Sequence, residues 1–61
     1  MNTEFNINQI VKGKVAGTFV ILGFRNFGGE IGAQVKPVNP KNHEEVGIGE
    51  IFMPLNSLIS L

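Results

Sequence analysis

Cysteine is absent from this 61-residue chain, which excludes disulfides and thiolate-ligated metal sites. Histidine occurs once, at His43, so no imidazole-rich site can be assembled either. Charge of one sign is also missing: five basic and five acidic side chains cancel, and the pI is near 6.5. Binding duplex nucleic acid through its phosphates needs several Lys or Arg on one face and usually a basic domain, so that class is disfavoured. The longest apolar run, Phe19-Val20-Ile21-Leu22, is strand-sized and far from the ~20 residues of a membrane helix. Met1-Asn2-Thr3-Glu4 lacks the basic region of a signal peptide and no apolar core follows it. The expected address is the cytoplasm, no membrane is expected among the partners, and the chain is expected to be complete. At this length the chain makes one domain, covering residues 1–61, with residues 1–8 expected as a flexible N-terminal arm.

Glycine is plentiful, and it decides the fold class. Eight glycines lie between Gly13 and Gly49, and no interval between them reads as a long helix. Gly costs about 1 kcal/mol relative to Ala inside a helix, whereas β-proteins use it at turns, bulges and corners. Helical spacing is missing too; β-branched and aromatic clusters stand between turn residues instead.

The first strand is predicted over Gln9–Ala16, where Lys12 and Lys14 alternate with Val11, Gly13 and Val15. Gly17 then permits a bend. Thr18–Arg25 is the second strand, with Val20, Leu22 and Phe24 on one face and Phe19 and Ile21 on the other. Asn26-Phe27-Gly28-Gly29 is the clearest turn, because Gly28 and Gly29 tolerate the positive φ that a tight hairpin needs. Glu30–Val38 alternates Ile31, Ala33 and Val35 with Glu30, Gln34 and Lys36, and Pro37 marks an edge or an exit from the ladder. Residues 39–45 form a polar loop, Val46–Met53 a fourth strand, Pro54–Leu58 a single 3₁₀ turn, and Ile59–Leu61 a last short strand.

Five short strands with a one-turn helix before the last are the anatomy of an SH3-like barrel. The ending Glu50-Ile51-Phe52-Met53-Pro54-Leu55-Asn56-Ser57-Leu58 resembles the strand, proline and one-turn-helix close of many bacterial SH3-like domains. The resemblance covers about the last fifth of the chain and implies an all-β, five-stranded SH3-like barrel. An OB-type barrel usually needs a longer chain.

Catalytic, metal and cofactor chemistry find no support. Ser57 and Ser60 lie in a stretch that closes the core, and His43 beside Glu44 and Glu45 reads as a solvated loop. Those three residues match no calcium-loop spacing. Gly28-Gly29-Glu30 and Gly47-Ile48-Gly49 are not followed by the helix that a phosphate-cradling loop requires. No catalytic residue, metal site or cofactor is therefore expected, and the chain is read as a non-enzyme.

The constellation with most to offer is Phe24-Arg25-Asn26-Phe27, where an aromatic and a guanidinium can stack on a partner's side chains or on bases. Phe24 also suits the end of the core, and Phe27 has little reason to be buried in a turn. Lys12 and Lys14, on one face of the first strand, extend this candidate interaction surface, with Arg25 and Lys36 nearby; such lysines also keep an edge strand soluble. The expected function is a protein-interaction module, binding a protein partner or itself. Its motives are the two-sided apolar second strand and a charged fraction of only 16%: an outward Phe19 or Ile21 would need covering. The alternative from another class is a small-barrel binder of RNA or single strands, using Phe24, Arg25, Phe27 and the lysines. A remoter reading is an oligomeric enzyme with a shared pore. Glu50-Ile51-Phe52 is similarly placed to the substrate-contacting strand of the plasmid-borne type II dihydrofolate reductases, but the strand lacks their Gln and Tyr.

Overall fold

A computed structural model of the chain describes residues 5–47 and 49–60. The fold is all-β: β1 (Ile10–Gly13), β2 (Thr18–Phe27), β3 (Glu30–Pro37), β4 (Ile51–Pro54), a 3₁₀ turn η1 (Leu55–Ser57) and β5 (Leu58–Ser60). All pairings are antiparallel, in the order β4-β3-β2-β1-β5. No helix among the described residues is long and apolar enough to cross a membrane.

The two outermost strands are consecutive in the chain, separated only by the three residues of η1. A flat five-stranded sheet would hold its edges about 19 Å apart, at ~4.8 Å per strand. A three-residue 3₁₀ turn rises only about 6 Å. The sheet must therefore curl until its edges approach each other. No ladder among the described residues joins β4 to β5, so by hydrogen bonding the sheet is open.

Inside the curl lie Val11, Ile21, Ala33, Val35 and Leu58, all buried, with Phe5, Phe19, Met53 and Leu55 packed against them. Phe5 belongs to the expected arm, as does Asn8, whose N–H donates to the Ile21 carbonyl at 2.7 Å. Residues 1–4 of that arm lie outside the described residues.

Element bounds differ from expectation where glycine intervenes. β1 stops at Gly13, and residues 14–16 bend toward Gly17, whose φ of +96° suits glycine. At Gly17 a Cβ would meet the Phe19 ring at 2.7 Å, so the bend is closed by that aromatic. The fourth strand begins only at Ile51, because Gly47 and Gly49 take φ of +80° and +98° and bend the backbone first. Ile48, within that expected strand, and Leu61, in the expected last strand, lie outside the described residues. At the other hairpin the chain is more regular than expected. Phe27 still pairs with Glu30, and Gly28 and Gly29 alone turn the chain, at φ of +59° and +87°, in the manner of a type I′ turn.

The second strand carries the main departure. Ile21 pairs with Val35, but Gly23 pairs with Gln34, so Leu22 is an extra residue in a β-bulge. Strict alternation from the core residue Ile21 would turn Arg25 and Phe27 inward. With the extra residue, Phe24 lies opposite the buried Ala33 on the core face, and Arg25 and Phe27 face outward with Gly32 and Glu30. The expected grouping of Phe24 with Val20 and Leu22 is thus corrected: the bulge resets the faces halfway along β2.

Candidate interaction surface

The outward face around the β2–β3 turn is built by three strands. Phe27 comes from the end of β2 and Phe52 from β4, which reaches this face because it pairs with Gln34 of β3. Their rings meet edge to face, with centroids 4.8 Å apart and planes at 88°. This is the geometry that sets the positive edge of one ring against the negative face of the other. The Phe52 ring lies over Gly32, where any side chain would collide with it. Gly32 is therefore the position that lets the aromatic settle onto the sheet. Arg25 is directly opposite Gly32 in the ladder, and Glu30 directly opposite Phe27. An aromatic pair thus sits between one cation and one anion. Phe27 keeps 55% of its surface exposed.

The predicted residues divide. Arg25 and Phe27 share the outward face, while Phe24, 37% exposed, lies on the core face at the open end of the hairpin, beside the 55%-exposed Ile31. Asn26 also belongs to that core-side row, and its side chain has a structural duty. Its Oδ1 accepts the Gly29 N–H at 3.0 Å, fixing the turn. Lys12 is outward-facing, opposite Thr18, but Thr18 stands seven residues from Arg25 along β2, roughly 20 Å away. Lys14 follows β1, its N–H donating to the Ser57 carbonyl at 2.9 Å. Lys36 is drawn into an ion pair with Glu45 at 3.1 Å. Lys12 and Lys36 are thus set off along the strands from Arg25, in keeping with lysines that keep a strand soluble.

The motive drawn from Phe19 and Ile21 also changes. Both face the core, Ile21 wholly buried and Phe19 packed against the cluster, so the apolar surplus is not theirs. Near the turn the exposed apolar side chains are Phe24, Phe27 and Ile31, and elsewhere Ile7, Val15, Val46, Ile51 and Ile59 are exposed too. Phe52 and Glu30 were missed by sequence reasoning. Phe27 and Phe52 are far apart in the chain, and only the β3–β4 register brings them together. Opposite Phe52 in the ladder, the Gln34 Oε1 is buried without a hydrogen-bond partner among the described residues.

Around His43 the loop is held by backbone and amide bonds. The His43 N–H donates to the Asn39 carbonyl at 2.7 Å and the Glu44 N–H to Asn42 Oδ1 at 2.9 Å. Among the described residues no group of three His, Asp or Glu is arranged to hold a metal ion. No protein family, curated protein or solved structure shows significant similarity to this chain.

Proposed function

We propose that this chain is a non-enzymatic protein-interaction module built on a small SH3-like barrel, and that it binds through the Phe27–Phe52 face. The barrel reading is supported by the strand order and by the three-residue 3₁₀ link that draws the two edges together. The binding reading is carried by one observation: an ordered aromatic pair on the face turned away from the core, with Phe27 more than half in water. Covering such a ring removes apolar surface worth on the order of 2 kcal/mol. Aromatics held rigidly at a surface beside an arginine are the usual anchors of protein contacts.

Selection of a random peptide library displayed on phage tests this reading. Peptides are expected that bind the wild type and lose at least about tenfold in affinity for Phe27→Ala. If neither such peptides nor any Phe27-dependent self-association is found, the reading falls. Single-stranded nucleic acid is the second reading, favoured by Arg25 beside the two rings. It requires salt-sensitive binding to pooled oligonucleotides, and its absence removes that reading.

A further inference from the structure

The occupant of the Phe27–Phe52 face follows from the charges that flank it, given the proposal that this face is an interaction surface. Arg25 precedes Phe27 by two residues on β2, and Glu30 stands directly across from Phe27 on β3. By the period-two pleat all three side chains leave the same face. Opposite charges thus sit on the two sides of one half-exposed aromatic ring. Among the described residues neither is consumed: the ion pair there is Lys36–Glu45. Such a patch is its own complement. A two-fold axis pairs residue i of one copy with residue j of the other, and j with i. Arg25 of each copy then meets Glu30 of the other, twice, around a shared centre of phenylalanines. A patch carrying one sign of charge would instead repel its copy.

Two further properties favour a second copy. The net charge of zero leaves no long-range repulsion between identical chains. The core is also small for independent stability, its buried apolar side chains among the described residues being Val11, Ile21, Ala33, Val35, Val38 and Leu58. We propose that this chain forms a two-fold homodimer through the Phe27–Phe52 face, with reciprocal Arg25–Glu30 ion pairs at its rim.

Sedimentation equilibrium from micromolar to millimolar concentration tests the proposal on the full chain. The set comprises the wild type, Phe27→Ala, Arg25→Glu, Glu30→Arg and the double charge swap, each checked for folding by circular dichroism. The wild type is expected to dimerise, each single substitution to raise the dissociation constant roughly tenfold or more, and the double swap to recover most of the loss. A wild type that stays monomeric throughout overturns the dimer. So does a dimer indifferent to all three single substitutions, or a double swap no better than the single ones. The interaction reading is separable from the dimer: monomeric chains with Phe27-dependent phage peptides leave the surface standing and assign it to another protein. Monomeric chains without such peptides remove both.

Discussion

At the scale of single residues, Gly32 and Gln34 on β3 lie beside the aromatic pair under opposite constraints, and Gly32 holds Phe52 in place. Gly32 does so by having no side chain. A Cβ there would press on the Phe52 ring and stand 2.7 Å from the Met53 carbonyl oxygen, and the backbone contact cannot yield as a side-chain tip would. Gly32→Ala is accordingly expected to cost about 1–3 kcal/mol, the usual range for overpacking. Urea denaturation measures it, and a variant as stable as the wild type would mean that Phe52 does not rest there. Gln34 holds its place at a cost, since its buried Oε1 meets no donor among the described residues. Gln34→Met keeps the length and flexibility of the side chain while removing the orphaned oxygen, and should raise stability by about 1 kcal/mol. A lowered denaturation midpoint would show that the amide makes a contact the substitution destroys.

At the scale of elements, the β2–β3 hairpin was legible in the sequence and the faces of β2 were not. Gly28-Gly29 announces the turn because two adjacent positive φ angles need glycine, and the alternation of Ala33 and Val35 with Gln34 and Lys36 announces the inner face of β3. β2 offers no such alternation, since Phe19 to Leu22 is apolar throughout and a bulge hidden in it changes no local pattern. Gly23 was the single signal, as glycine inside a strand often marks a bulge. The same limit hid Phe52, whose place beside Phe27 is set by register across two ladders. Because Leu22 is the extra residue that sets the faces of Arg25 and Phe27, its deletion tests the register directly. Deleting Leu22 removes the one residue within this ladder that has no partner in β3, and leaves Ile21 opposite Val35 followed by Gly23 opposite Gln34 as a regular ladder. Arg25 and Phe27 then keep their outward face, and the variant is expected to fold, at a cost of about 1–3 kcal/mol. Circular dichroism melting checks it, and a deletion variant that fails to fold would place the bulge elsewhere.

Across the whole molecule, stability should fall from the middle of the sheet outward. β2 and β3 share the longest ladder and supply Ile21, Ala33 and Val35 to the core, whereas β4 and β5 are short and each pairs on one side only. Hydrogen exchange is expected to be slowest at Ile21 and Val35 and fastest, among strand amides, in β4 and β5. Slowest exchange in β4 would mean that its outer edge is covered, which points to a strand-to-strand dimer in place of the facial one. The architecture itself was legible through glycine and the terminal Pro54-Leu55 signal. The approach of the two edges was expected through the SH3-like resemblance alone, because it depends on which strands become neighbours.

The antiparallel pairing of β1 with β5 has a mechanical meaning. Val11 stands opposite Ser60 and Gly13 opposite Leu58, so the chain enters β1 and leaves β5 at the same end of the sheet. Tension applied through residues flanking these strands would not shear the ladder, loading all its hydrogen bonds together. It would peel β5 from β1 like a zipper, one pair at a time, beginning at Val11 and Ser60. A domain tethered on both sides would therefore yield at low force from its outermost strand, with the β2–β3 hairpin giving way last.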